Sequence, residues 1–268
     1  MEKVSVIIPT YNRANLIEKS VRSVLNQTYK NIELIIVDDG SSDNTEEIIK
    51  SINDTRIIYH KQENGGQSKA RNNGVLLSTA DYIAFHDSDD VWRENKLERQ
   101  MSYIKENPQY GMVYCSFLKH MPHDEAITIP NSNLIGETEG DMFLTLLVNN
   151  KISTQTMLLK KDLFLESGGF DLSLRCLEDW EFALRFSESY HIGYVDEILV
   201  DVYQQPGSVS VNLTKYFETR CMMIANHKDI LQKNNLLDYV VIKLFDTAKS
   251  LNCQNEVMML LSQLMYQD

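Results

Sequence analysis

Three carboxylates fall within four residues at Asp87-Ser88-Asp89-Asp90, directly after the apolar run Tyr82-Ile83-Ala84-Phe85. Like charges this close repel by several kcal/mol at intermediate dielectric. A divalent cation relieves that repulsion. Mg²⁺ and Mn²⁺ take oxygen ligands, typically one or two carboxylates, and leave their other positions to water and phosphate. The plainer alternative is a solvated turn capping a helix that holds Trp92 and Leu97. Placement at the end of a buried strand, in register with two other polar strand ends, favours the cation.

Those other strand ends are Thr10-Tyr11-Asn12 and Asp38-Asp39-Gly40-Ser41-Ser42. A carboxylate at the second could accept a hydrogen bond from a base N–H or a ribose hydroxyl, or the segment is a turn with Asp43 as a cap. Asn64-Gly65-Gly66-Gln67-Ser68-Lys69-Ala70-Arg71-Asn72 brings paired glycines to a helix start, with Lys69 and Arg71 close behind. Backbone N–H groups and cations at such a junction suit an anion, although Gly-Gly is also a common turn. Glu178-Asp179-Trp180-Glu181 opens a further helix. Its acids serve the helix dipole, or one of them takes a proton from a hydroxyl within hydrogen-bond reach. Spacing alone does not choose between these. The six histidines show no HxxxH spacing and read as ordinary positions rather than a zinc site.

The elements that position these residues are legible from periodicity. Val4–Ile8 and Ile32–Val37 are short apolar runs of the kind buried on both faces of a parallel sheet, and Ile57–Tyr59 and Tyr82–Phe85 read as two more strands. Leu16, Ile17, Val21, Val24 and Leu25 recur at helical spacing between the first two, with Asn12 or Asn15 as a cap. A second helix follows Asp43, with Glu46 completing a capping box, and a third spans Ala70–Leu77. This alternation predicts an α/β fold that binds ligands outside the carboxyl ends of its strands. Farther on, Met112–Phe117, Thr156–Leu159 and Ile198–Tyr203 read as strands, and Met142–Val148 and Glu178–Glu188 as helices. From Lys215 onward the pattern is wholly helical and predicts about three helices, whose methionines serve packing.

Composition narrows the function. The 268 residues are 43% hydrophobic and 24% charged, the balance of a soluble globular chain. A net charge of -12 disfavours nucleic acid and anionic membrane as partners. It also requires an acidic protein that binds phosphate to supply local counter-charge, from a few basic side chains or a metal ion. Cys115, Cys176, Cys221 and Cys253 are widely spaced without a CxxC pair, and the first apolar run, broken by Pro9, is too short for a signal segment. No run approaches the ~18 apolar residues of a membrane span. The expectation is a cytoplasmic protein with reduced thiols.

Taken in order, Val4–Asn12, Ile36-Val37-Asp38-Asp39-Gly40-Ser41-Ser42-Asp43, Gly65–Asn72, Asp87-Ser88-Asp89-Asp90 and Gly169-Phe170-Asp171…Glu178-Asp179 form a recognisable set. It resembles the inverting family 2 glycosyltransferases of the nucleotide-diphospho-sugar transferase superfamily, over roughly residues 3 to 210. The resemblance implies a GT-A (Rossmann-like) fold, a mixed and mainly parallel sheet flanked by helices. It divides the chain into a catalytic domain at 1–212, with a nucleotide-binding half at 1–110 and an acceptor half at 111–212, and a helical C-terminal extension at 213–268. It implies that Thr10, Tyr11 and Asp39 hold the uracil and ribose of a UDP-sugar donor, with Asp38 in support. Asn12, Lys69, Arg71 and Ser88 belong to the same donor-binding set. Asp87 and Asp89 match the DxD that contacts ribose and coordinates Mn²⁺ or Mg²⁺ on the diphosphate. Asp179 matches the catalytic base, and Glu178 and Trp180 lie on the acceptor side. Many members carry Arg and then His just after the position of Tyr203, where this chain reads Gln204-Gln205-Pro206-Gly207-Ser208.

The implied activity is single-displacement transfer to a saccharide or a lipid-linked saccharide, in the synthesis of a surface polysaccharide at the inner membrane face. Two other readings compete. An aspartyl-nucleophile phosphatase needs its DxD after the first strand, not after about the fourth. An inactive donor-binding partner of an assembly is separated from an enzyme by turnover. The helical tail has three readings: dimerisation, contact with a membrane surface, or bracing of the catalytic domain.

Overall fold

Val4–Thr10 (β1) and Ile32–Asp38 (β2) are buried at every residue and run parallel, so that Thr10 ends beside Asp38. Ile57–Lys61 (β3) lies parallel to β2, and Tyr82–Phe85 (β4) parallel to β1 on its other side. The structure is a computed structural model and describes residues 2–121, 125–131, 134, 136–203 and 213–265. Parallel pairing aligns the carboxyl ends of these strands. Thr10, Asp38-Asp39 and the turn that follows β4 therefore gather at one edge, as open α/β sheets arrange their ligand sites.

The sheet continues through Leu158–Lys160 (β8), antiparallel to both β4 and Tyr110–His120 (β6). His191–Tyr203 (β9) runs parallel to β6, Val91–Trp92 (β5) pairs antiparallel with β9, and Ala126–Ile129 (β7) hangs on β6. The strand order is β3-β2-β1-β4-β8-β6-β9-β5.

Each face carries its own apolar core, because successive strand residues point to opposite sides. Val6, Ile8, Leu34 and Ile36 pack with Val21 and Val24 of Ile17–Leu25 (α1), with Ile49 of Thr45–Ser51 (α2), and with Leu97 and Met101 of Lys96–Glu106 (α4). On the other face Ile7, Val37 and Phe85 meet Ala70 and Val75 of Gln67–Leu77 (α3). Gly74 lets this helix approach β1 closely: a Cβ there would lie 2.5 Å from Ile7 Cγ2. The same cluster takes in Leu146 of Phe143–Val148 (α5), Phe164 of Lys161–Glu166 (α6) and Phe182 of Glu178–Ser187 (α7). Phe85, Phe164, Phe170 and Phe182 pack in tilted and edge-to-face pairs with ring centroids 5.0 to 5.4 Å apart. Each such pair adds about 0.5–1.5 kcal/mol beyond area burial, and together they fix the segment before α7 against β4. Leu213–Asn226 (α8), Lys228–Lys233 (α9), Leu237–Ser250 (α10) and Gln254–Met265 (α11) join that core through Phe217, Leu231, Leu244 and Leu261.

Four expectations need correction. Trp92 lies in strand β5 rather than a helix: Ser23 Oγ accepts its backbone N–H, its indole donates to the Gln155 carbonyl, and α4 starts only at Lys96. No capping box forms at α2. Asp43 accepts from the amide and hydroxyl of Thr45 and from the Ala14 amide, Asn44 occupies the cap position, and Glu46 pairs with Lys50 and Lys61. Neither Asn12 nor Asn15 caps α1, whose cap position is Leu16; Asn12 sits at φ 51° and accepts from the Ser42 amide. Among the described residues the tail forms four helices, not three: Asn235 and Asn252 turn left-handed (φ 57° each) and close the ends of α9 and α10, and a further break at His227 parts α8 from α9.

Candidate active site

At the β1 end, Thr10 is 3% exposed and its carbonyl accepts the Asp39 amide at 2.8 Å, locking the two strand ends together. Tyr11 turns outward with 48% of its surface exposed. Asp38 is fixed from both sides, by the Ser41 amide at 2.7 Å and the Tyr59 hydroxyl at 2.6 Å. Asp39 accepts from the Gly65 and Gly66 amides at 2.9 and 2.8 Å and from the Gln62 side chain at 2.7 Å. That carboxylate folds the glycine loop over the strand ends. Gly66 is required by its backbone conformation, while at Gly65 a side chain would have to displace Lys69. A Cβ on Gly65 would lie 2.3 Å from Lys69 Cδ, and one on Gly66 (φ 90°) 3.2 Å from an Arg175 guanidinium nitrogen.

Arg71 is the hub. Only 3% exposed, it donates to Asp87 Oδ1 at 2.7 Å and to Glu178 Oε1 at 2.8 Å. Gln67, one helical turn before it, donates to the same Glu178 oxygen. Burial opposes the Arg71 charge, but the two carboxylates outweigh it and its pKa rises. One cation therefore ties the loop after β4 to the start of α7.

The acidic loop is held from beneath, with Ser20 Oγ donating to the Asp87 carbonyl at 2.8 Å and Asp90 accepting the Tyr203 amide at 3.1 Å. Ser88 is buried. Burial first, and then the charge of Asp87, push the Asp89 carboxyl above its ordinary range. Asp90 is raised well above it by burial and by both neighbours. Among the described residues Asp89 has no ion-pair partner, and Asp87 spends only one oxygen on Arg71. No set of three or more His, Cys, Asp or Glu side chains forms a cage among the described residues. Mg²⁺-type ions need no cage, since one or two carboxylates plus substrate phosphates hold them. Asp89 and the free oxygen of Asp87 fit such an ion.

Asp179 lies on the other side of Arg71. It is half-buried, its Oδ1 accepts the Trp180 amide at 2.7 Å, and no cation bonds to it among the described residues. Burial first, and then Glu178, push its pKa up to about 7. A carboxyl poised there can accept a proton near neutrality. Trp180 points into the core, its indole donating to the Leu146 carbonyl at 2.6 Å. Positions 204–208 lie outside the described residues.

Three buried side-chain atoms lack a partner among the described residues: Thr10 Oγ1, Arg71 Nε and His86 Nδ1. Each sits at a strand end or on the hub that joins them. Buried polar groups are rarely left unpaired, so the Thr10 hydroxyl and Arg71 Nε keep hydrogen-bonding capacity at the carboxyl ends of the strands.

The sequence model of glycosyl transferase family 2 matches residues 5–164, more than half of the chain. The chain belongs to glycosyl transferase family 2. It is 34% identical over 200 residues to an uncharacterized glycosyltransferase of Rickettsia typhi, a match covering 74% of this chain and 62% of that one. It is 32% identical over 245 residues to WfaP of Escherichia coli, a UDP-Glc:alpha-D-GlcNAc-diphosphoundecaprenol beta-1,3-glucosyltransferase, covering 91% of this chain and 88% of WfaP. Among solved structures, S. aureus TarS 1–349 in complex with UDP-GlcNAc superposes with a TM-score of 0.77 over 98% of this chain and 79% of that one. At 21% identity that likeness carries the fold, which is GT-A.

Within this family 2 chain the structure bonds Thr10 to Asp39, next to Asp38, at the strand ends, and Arg71 to both Asp87 and Glu178 in a second set. Sequence reasoning passed over Gln67, Tyr59 and Arg175. Gln67 and Arg71 share a helix face at i and i+4 spacing, a signal that was available. Arg175, three residues before Glu178, reaches the glycine loop only through the fold.

Proposed function

We propose that the protein is an inverting glycosyltransferase that moves a hexose from a UDP-sugar to an acceptor hydroxyl, with Asp179 as the base. The observation that supports this reading is the Arg71 bridge, which ties the Asp87-Ser88-Asp89 loop to Glu178, the immediate neighbour of the desolvated Asp179.

The exposed Tyr11 ring offers its face to uracil, while Thr10, Asn12, Asp38 and Asp39 shape the base and ribose pocket. Lys69, Arg71 and Arg175 supply counter-charge for the diphosphate in a chain of net charge -12. Asp89 and Asp87 would hold a Mn²⁺ or Mg²⁺ ion, which when bound would supply Lewis-acid stabilisation of charge on the diphosphate. Asp179 accepts the proton of the acceptor hydroxyl as its oxygen bonds to the anomeric carbon. The bond from that carbon to the diphosphate breaks on the opposite face, and UDP departs with the electron pair. A single displacement inverts the anomeric centre. Likeness to WfaP along nearly the full chain favours a lipid-linked saccharide acceptor, met at the cytoplasmic face of the membrane during polysaccharide synthesis. No described helix is long and apolar enough to cross a membrane.

The test is UDP release from a panel of UDP-sugars with Mn²⁺ and then with EDTA, followed by NMR of the product. Metal-dependent release from one donor, and a β-glycoside from an α-linked donor, are the expected results. A retained anomeric configuration would rule out the single displacement.

A further inference from the structure

A second cavity, of about 290 Å³, opens between α5, the start of α7, α8 and α10. That is close to the lower end of small-molecule sites, ~300 to 1,000 Å³. Leu177 and Trp180 line it, flanking Asp179 in sequence, so it abuts the segment that carries the proposed base. Its chemistry is unlike the rest of the molecule. The chain has 38 acidic residues, yet no Asp or Glu lines this cavity among the described residues, while Arg220 and Lys243 both do.

Arg220 is 4% exposed, and its guanidinium lies 3.8 Å over the Trp180 ring. Of its five N–H donors, the described contacts use two, a long 3.4 Å bond to the Leu147 carbonyl and a 3.9 Å contact to Met223 Sδ. Lys243 donates to the Asn149 side chain. Neither cation has a carboxylate partner among the described residues. Burial depresses Arg220 to about 10, and burial followed by the Arg220 charge depresses Lys243. Two cations are thus held together at a cost that an anion between them would remove. Asn150 and Tyr216 add polar edges to the same wall.

We propose that this cavity binds a phosphoryl group carried by the acceptor, through Arg220 and Lys243. The inference rests on the glycosyltransferase reading and narrows its acceptor to a phosphorylated one. A planar guanidinium fixed on an indole presents a fork suited to phosphoryl oxygens, and Lys243 adds a point charge. Anchoring the phosphoryl group there holds the acceptor sugar beside Asp179.

The test is calorimetry on the full chain presaturated with UDP and Mg²⁺, so that the donor site cannot take the probe. Glucose 1-phosphate is titrated against glucose and glucuronate. Wild type should bind glucose 1-phosphate at least tenfold more tightly than either. Lys243→Gln and Arg220→Gln should lose at least tenfold of that affinity while UDP affinity stays unchanged. Lys243 is only partly buried, so its variant tests the site even if Arg220→Gln fails to fold. Equal affinity for glucose and its phosphate, equal affinity for glucuronate, or an unaltered Lys243→Gln variant would each overturn the proposal. Failure of UDP to bind wild type would sink the donor reading instead, and the probe titration without UDP would still report on the cavity.

Discussion

Arg71 and Glu178 are 107 residues apart in sequence and meet at 2.8 Å in the buried centre of the site. The same guanidinium holds Asp87, so one side chain sets the spacing between the acidic loop and α7. Arg71→Met leaves Glu178 buried without its cation, and breaking one side of such a pair costs about 3–5 kcal/mol. Chemical denaturation should show that loss, and transfer should fall with it. Arg71→Lys should also fail, because a point charge cannot bridge two carboxylates in fixed directions. The double variant Arg71→Met/Glu178→Gln should recover part of the stability and none of the activity. Wild-type stability in Arg71→Met would show that the bridge carries no structural role.

Asp179→Asn should bind UDP normally and lose transfer by roughly 10²- to 10⁴-fold, the usual share of a general base. The base works only when deprotonated. With a pKa near 7, kcat/KM should fall about tenfold per pH unit below that value and level off above it. The stability sign is the reverse of an ion-paired acid. Folding raises this pKa from 3.8, so the native state holds the proton more tightly, and Asp179 subtracts stability as pH climbs from about 4 to 7. Asp179→Asn should therefore be more stable than wild type above pH 7. A flat rate profile across that range in wild type would move the base elsewhere.

Glu33 separates stability from catalysis. It lies buried on β2, far along the strand from Asp38, and accepts from Lys3, Ser5 and Thr79. Burial disfavours its charge, but those bonds win and bring its pKa from 4.5 down to about 2. At 1.36 kcal/mol per unit this corresponds to about 3 kcal/mol. The contribution is complete above pH 4.5 and is lost as pH falls toward 2. Glu33→Gln should lower the denaturation midpoint at pH 7, flatten the acid limb, and leave UDP binding unaltered. An unchanged acid limb would refute the assignment.

The strand ends were legible because each polar triplet follows a short apolar, β-branched run, and parallel pairing then brings Thr10, Asp38 and Asp87 to one edge. The Arg71 bridge was not, since helical spacing in α3 says nothing of a partner at Glu178. Trp92 misled because an apolar residue so close before Leu97 reads as part of the same helix, whereas its backbone pairs with β9 and its indole bonds to Gln155. The first half of β9, with His191, Gly193, Asp196 and Glu197, is too polar to announce itself and forms through pairing with β6. Asn235 and Asn252 end helices where glycine would have been the plainer signal.

Metal removal tests the acidic loop directly. Asp89 is raised by burial and by Asp87, and Arg71 answers only one of the loop's carboxylates. A divalent cation would complete that neutralisation and displace any proton that Asp89 retains, so its binding should release protons increasingly as pH falls toward the raised pKa. Calorimetric titration of Mn²⁺ in two buffers of different ionisation enthalpy measures that release. Asp89→Asn should abolish it and weaken Mn²⁺ binding by at least tenfold, whereas Glu33→Gln should change neither. EDTA should stop UDP release, and added Mn²⁺ should restore it. Full turnover in EDTA, together with Mn²⁺ binding unaffected by Asp89→Asn, would show that the loop serves the donor through hydrogen bonds alone. Arg71 and Lys69 would then have to carry the diphosphate charge.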